Sequence, residues 1–335
     1  MSRYAIRHEH LGAFPVVALI DTETGTAIRV ARRGATLLEY QVPVAGRLCN
    51  IVDSYTTADE LETYHGSRFA VMAPFANRVA DARYHFAGVE HDLAPDAAPD
   101  ARTIMHGFVR ASEFDLLSVD TDDTGACLRL GCHALLEPVH AGYPFKIDLE
   151  VAFTLHASGL DVTASLRNMG DSDAPCFFGW HPYLRLREDG IDGLELKLPA
   201  QQAIVTNDAL IPLPGDAAYR PLDAMPERDF RTWRKLDGCV LDSGFAAPKP
   251  DADGRIRSHL RDPETGLSVA MWQERGVTVV YTADTLRGAE IRRSIAIEPM
   301  EAMTNAFNRP DCAAAITLAP GAERTFHCGL ELNLP

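Results

Sequence analysis

Four short segments of this chain set ionisable or hydrogen-bonding side chains among apolar residues, aromatics and prolines. In Phe177-Phe178-Gly179-Trp180-His181-Pro182-Tyr183, a histidine is boxed by aromatic rings. A proline holds the residue before it extended, which gives the imidazole a set direction. Partial desolvation would tune its proton affinity. In Ser294-Ile295-Ala296-Ile297-Glu298-Pro299-Met300, a period of two puts Ile295 and Ile297 on one face and Glu298 on the other. A carboxylate at the end of an apolar strand suits a general base. A glutamate on a solvated edge strand has the same pattern. In Met72-Ala73-Pro74-Phe75-Ala76-Asn77-Arg78-Val79, an Asn-Arg pair interrupts an apolar run. The planar donor fork of Arg78 matches vicinal hydroxyls or a carboxylate, and equally a structural ion pair. In Met105-His106-Gly107-Phe108-Val109-Arg110, Gly107 would let a ligand approach the backbone beside His106. A histidine that merely opens a strand is the plainer reading there.

Together these residues form a proton-transfer set. A histidine and a carboxylate, aided by an arginine and a second histidine, can move protons with no cofactor. Signatures of other chemistries are missing: the chain has no glycine-rich phosphate loop, dinucleotide fingerprint, HExxH or GxSxG. Its seven cysteines are odd in number and widely spaced without a CxxC, which fits a reducing compartment and no zinc site. Asp and Glu outnumber Lys and Arg by 47 to 32, for a formal net charge of −15. Such a surface repels nucleic acid and anionic membranes. It argues only weakly against an anionic small molecule, since one local basic pocket could override the net field. No apolar run approaches membrane-spanning length. Leu11 to Ile20, broken by Gly12 and Pro15, is expected to be a strand rather than a signal peptide. The expectation is a cytoplasmic protein acting on a small molecule.

The elements that must position these residues are strands. Ile147, Leu149, Val151, Phe153 and Leu155 alternate with polar or small residues. Leu160, Val162, Ala164 and Leu166 repeat the pattern after the turn His156-Ala157-Ser158-Gly159. The same alternation recurs at Leu194/Leu196/Leu198, Leu267/Val269/Met271, Val277/Val279/Tyr281 and Phe326/Cys328/Leu330/Leu332. One short helix is expected from Thr57 to Tyr64, with Thr57 and Glu60 at capping-box spacing. Asp92 to Arg102 and Ala246 to Gly254 have loop composition. There is no βαβ rhythm, so a parallel doubly wound sheet is not expected. The pattern predicts an all-β fold, a large antiparallel β-sandwich, with residues 1–335 forming one domain. Its open sheet edges are compatible with a monomer or a homodimer.

The ordered segments resemble those of the aldose 1-epimerase (galactose mutarotase-like) family. The family's Asn-Arg motif resembles Phe75-Ala76-Asn77-Arg78-Val79, its His-Gly motif His106-Gly107-Phe108, and its His-Pro-Tyr motif His181-Pro182-Tyr183. Its late acidic motif resembles Glu298-Pro299-Met300 followed by Asn305-Ala306-Phe307-Asn308. Ala141-Gly142-Tyr143-Pro144-Phe145 resembles its Gly-Tyr-Pro segment, and Leu236-Asp237 its Leu-Asp segment. The set runs in family order from about Thr36 to Leu334. Departures fall at Asp81-Ala82-Arg83, at Phe108-Val109-Arg110 and at Gly238-Cys239, and they bear on the substrate.

The resemblance implies a supersandwich with a groove on one sheet and a sugar as substrate. Glu298 would be the general base on the anomeric hydroxyl and His181 the general acid on the ring oxygen. His106, Arg78 and Asn77 would hold sugar oxygens, and Asp237 would accept from sugar hydroxyls. Glu298 would then be ionised and His181 protonated, giving a bell-shaped pH dependence. Arg110 motivates one alternative, a sugar phosphate or other anionic sugar as substrate. A non-catalytic sugar-binding protein is another.

Overall fold

The computed structural model describes residues 2–137, 140 and 142–334. Of the motif residues, Ala141 lies outside these. Antiparallel strands dominate. A five-stranded meander at the N-terminus runs Tyr4–Leu11, Phe14–Asp21, Ala27–Ala31, Thr36–Val44 and Arg47–Asn50, each strand pairing with the next. The strand expected from Leu11 to Ile20 is present as Phe14–Asp21, while Leu11 ends the preceding strand, with which Phe14–Asp21 forms a hairpin. Gly12, at φ +59°, turns the chain between Leu11 and Phe14. The apolar run starts only at Leu11, so its first residues fall in the turn rather than in the strand.

A nine-stranded sheet forms one layer of the sandwich. At its centre Ile147–His156 and Gly159–Asn168 pair in full register from Ile147↔Asn168 to His156↔Gly159, around the expected turn. Ile147, Leu149, Val151, Phe153 and Leu155 are buried, and the residues between them are half-buried, so one face carries the core. Strand Phe14–Asp21 of the meander packs on Gly125–Cys132 and Ile147–His156. Strand Ile295–Met300 of an eight-stranded sheet packs on Ser268–Gln273 of the same layer. A single continuous apolar cluster joins the three sheets.

The expected helix is present as Ala58–Thr63. Thr57 accepts from the Glu60 backbone and Glu60 reaches back to the cap, and the helix ends at Tyr64 in the left-handed region. The alternation at Leu194–Leu198 yields only the short strand Glu195–Lys197. All seven cysteines are free thiols. Among the described residues no helix is long and apolar enough to cross a membrane.

The site depends on the eight-stranded sheet. Its middle runs Asp242–Ala246, Val277–Tyr281, Ile295–Met300, then the short strands Gly179–Trp180 and Val71–Met72, with Tyr183–Leu184 also on Ile295–Met300.

Candidate active site

Two half-strands flank His181. Gly179 pairs with Met300 and Tyr183 pairs with Ala296 across the same neighbouring strand. That register, carried through the break, sets His181 opposite Glu298. Pro182 lacks an N–H and interrupts the ladder there. Its carbonyl still accepts from the Ile297 N–H at 3.2 Å. Backbone bonds from His181 to Ala70 and from Phe69 to His181 fix the residue from its other side. The cross-strand placement brings His181 Nε2 to 3.4 Å from Glu298 Oε1.

A second carboxylate braces this pair from behind. Glu301 accepts from the Phe178 N–H at 3.1 Å and donates its own backbone N–H to the Phe178 carbonyl at 2.9 Å. Arg275 and Arg324 neutralise it at 2.6 and 2.7 Å. The strand of His181 is thereby clamped to the strand of Glu298 on the core side.

Asn77 and His106 come from two strained loops laid side by side. Both lie in the left-handed region, at φ +58° and +62°. The His106 N–H donates to the Asn77 carbonyl at 2.9 Å, and Arg78 bridges to Met105. Gly107 is required where the loops cross: a Cβ there would lie 2.0 Å from the Ala73 carbonyl oxygen, at φ +65°. Asn305 accepts from the Ala80 N–H and donates its own N–H to the Arg78 carbonyl, tying these loops to the segment after Glu298.

A cavity of about 220 Å³ opens over these residues. Asn77, Arg78, His106, His181 and Glu298 all line it. The His106 ring meets His181 edge-on at 5.1 Å, and Tyr183 stacks on His181 at 4.9 Å, nearly parallel. Asn77 Oδ1 accepts from the Arg78 backbone at 2.9 Å and from its guanidinium at 3.1 Å. Asn77 therefore orients Arg78.

Asp237 is set apart from this group. It is exposed in a turn and accepts from the Gly193 N–H at 2.6 Å, away from the cavity. Besides Glu298, the carboxylate that lines the cavity is Asp242, 3.8 Å from the Arg78 guanidinium. The sequence holds the dipeptide Leu-Asp four times, at 160–161, 222–223, 236–237 and 241–242, the last two five residues apart. Of these last two, only the latter opens a strand, Asp242–Ala246, next to Val277–Tyr281 in the eight-stranded sheet. That strand context was the available signal. Sequence reasoning also assigned no role to Ser67, Tyr281 and Thr285, which complete the wall.

The protonation of the pair differs from the sequence-based expectation. Glu298 is buried, and the lack of solvent, reinforced by the negative Asp242, raises its carboxyl well above the usual carboxylate range; Arg78 opposes this. Burial lowers His181 to about 3. His106 is held well below its usual range by burial and by the neighbouring His181, Arg110 and Arg78. Asp242 is raised by burial, with Arg78 opposing. A contact of 3.4 Å could be an ion pair, but a buried ion pair needs further hydrogen bonds to offset desolvation. Among protein groups, Glu298 Oε2 and His181 Nδ1 have none. Both shifts favour a neutral imidazole beside a protonated carboxyl. Among the described residues no group of three or more His, Cys, Asp or Glu is disposed to hold a metal ion.

With this geometry in view, comparison with known proteins is informative. The family model for aldose 1-epimerase matches residues 16–331. The chain belongs to the aldose 1-epimerase family. The Escherichia coli K12 protein YihR is 27% identical over 239 residues, covering 71% of this chain and 71% of its own. A GalM/aldose epimerase homologue from C. elegans superposes with a TM-score of 0.80 at 18% identity, over 96% of this chain and 99% of its own. Galactose 1-epimerase from Lactobacillus acidophilus gives 0.81 at 15% identity, over 99% of each chain. At such identities the likeness shows a shared galactose mutarotase-like fold.

Proposed function

We propose that the protein is an aldose 1-epimerase that interconverts the α and β anomers of a hexose. The observation that carries this is the buried His181–Glu298 pair, in contact at 3.4 Å in the wall of the cavity. The pair shares one dissociable proton. A sugar entering the cavity brings hydroxyls that solvate both partners, and the proton passes from Glu298 to His181. Glu298 then takes the proton of the anomeric hydroxyl while His181 gives its proton to the ring oxygen. The bond from the anomeric carbon to the ring oxygen breaks and leaves an open-chain aldehyde. Rotation about the adjacent carbon–carbon bond presents the other carbonyl face. The ring hydroxyl adds to it with both proton transfers reversed. Positioned acid and base groups each contribute ~10²–10⁴-fold. Arg78, oriented by Asn77 and charge-balanced by Asp242, and His106 would hold ring substituents.

One observation favours an acidic sugar. Arg110 donates to Ser67 Oγ at 2.7 Å, and among the described residues it forms no ion pair. Ser67 lines the cavity, and with its oxygen engaged by Arg110, its own proton is free to donate inward. This end suits a carboxylate, sulfonate or phosphate substituent.

The test is polarimetry of freshly dissolved α-glucose, α-galactose and α-glucose 6-phosphate, with the wild type and Glu298→Gln. Acceleration lost in the variant supports the epimerase. Preference for the phosphate that Arg110→Gln abolishes supports the acidic sugar. Sugar binding with no acceleration on any substrate would make this a binding protein.

A further inference from the structure

His106 rests on a sulfur atom. Its Nδ1 meets Met72 Sδ at 2.7 Å. The backbone brings the two side by side. Ala73 and Gly107, the next residue along each segment, form a parallel bridge, and the Phe108 N–H donates to the Ala73 carbonyl at 2.8 Å. Met72 is fully buried and pairs with Gly179 in the eight-stranded sheet. A Cβ on Gly179 would lie 2.9 Å from the Met72 methyl carbon, so this glycine leaves the room in which the thioether sits. Backbone register and packing thus place the sulfur against the ring. A thioether has lone pairs and no proton, so it can only accept. The nitrogen that faces it must carry the proton. Burial, with the neighbouring His181, Arg110 and Arg78, holds His106 well below its usual range, so the ring is neutral and has one N–H to give. That N–H is committed to Met72. Nε2 is left with a lone pair, on a ring that lines the cavity.

We propose that Met72 is a positioning residue that fixes His106 as the Nδ1–H tautomer and so makes His106 Nε2 an acceptor for a hydroxyl proton of the substrate. The inference rests on the epimerase reading and names what His106 recognises. Arg78 and Ser67 offer donors to the same cavity and suit ether or acidic oxygens. His106 instead requires a group with a proton to give. An ether or anionic oxygen against Nε2 would set lone pair against lone pair. The substrate must therefore turn a free hydroxyl to His106 and carry any acidic substituent elsewhere.

Nitrogen NMR of the sugar-free protein, isotope-labelled at histidine, tests this, since protonated and bare ring nitrogens differ widely in chemical shift. The His106 signals are those missing from His106→Asn. In the wild type Nδ1 should carry the proton and Nε2 should be bare. Met72→Leu keeps the buried volume and removes the acceptor, so the preference for Nδ1–H should be lost. In polarimetry with whichever of α-glucose, α-galactose and α-glucose 6-phosphate turns over best, Met72→Leu should raise KM by about fivefold with kcat little changed. One hydrogen bond is weakened there in the ground and transition states alike. A proton on Nε2 in the wild type, an unchanged tautomer in Met72→Leu, or a loss confined to kcat would overturn the assignment. The wild-type spectrum decides even where the variant does not fold. The two claims separate cleanly. No mutarotation of any of these sugars beside the expected tautomers would sink the epimerase reading and keep the role of Met72. Mutarotation beside an Nε2 proton would do the reverse.

Discussion

Glu298→Gln should cost activity while making the protein more stable, increasingly so as the pH rises. The reasoning starts from burial. Glu298 is 2% exposed, and its carboxyl is held well above the usual range, so the folded protein keeps it neutral where the unfolded chain ionises it. A group raised in this way contributes stability that is full below its unfolded value, near 4.5, and is lost as pH climbs through the folded value. Between those two limits the loss is about 1.4 kcal/mol per pH unit. Glutamine has the same shape and does not titrate. Relative to wild type, the variant should therefore gain about 1.4 kcal/mol for each pH unit in that window. For a chain of 335 residues, 1 kcal/mol corresponds to about 1.5 °C in Tm. Calorimetric melts at pH 5, 6, 7 and 8 should show a difference that grows by roughly 2 °C per unit until the folded carboxyl ionises, and then levels off. Over the same series, mutarotation by the variant should fall by ~10²–10⁴-fold in kcat with KM little changed. A Tm difference that stays constant with pH would mean that Glu298 is ionised in the folded protein, and the neutral-pair argument would fail. A variant retaining a tenth or more of wild-type kcat would remove Glu298 from the proton transfer.

Three further outcomes follow from the same geometry. The acid limb of the activity profile should lie below the ordinary histidine range, because burial lowers His181 to about 3; kcat/KM at pH 5 should stay within about twofold of its value at pH 7, and half-loss near 6.5 would contradict this. Steady-state kinetics should separate two neighbouring aspartates: Asp242→Asn lowers kcat/KM by about 10–100-fold through the Arg78 contact, whereas Asp237→Asn leaves it unchanged. Gly107→Ala should destabilise by about 2–4 kcal/mol in denaturant melts, since a methyl group meets the Ala73 carbonyl in a left-handed backbone.

The fold was legible because strand alternation is a local signal. Ile147 to Leu155 and its hairpin partner show it in full, and the capping box of Thr57 and Glu60 is written in four residues. The first strand of the hairpin at Gly12 was not legible, since Tyr4–Leu11 is largely polar and, apart from Tyr4, exposed or half-buried, so it shows no apolar alternation. Within the site, Asn77, Arg78, His106, His181 and Glu298 could be picked out because each departs in polarity from its own neighbours. Asp242 could not, because Leu241-Asp242 and Leu236-Asp237 are locally alike, and only sheet pairing distinguishes them.

Charge state was the least legible property, and it shapes the chemistry most. A histidine and a glutamate in sequence suggest an ion pair at neutral pH. Whether they form one depends on how much water and how many hydrogen bonds the fold leaves them. Here the strand register that places His181 against Glu298 also closes both behind Tyr183, His106 and the core, with Glu298 Oε2 and His181 Nδ1 unpartnered. The same geometry that brings acid and base together thus keeps them uncharged until something polar enters. For a hemiacetal this is a sensible arrangement. On the proposed mechanism, the substrate's own hydroxyls supply polar partners, so substrate binding favours the charged form of the pair. The wide pH plateau and the pH-dependent stabilisation by Glu298→Gln are two independent consequences of that one fact. A protein that passed one test and failed the other would show that register and desolvation are not linked in this way.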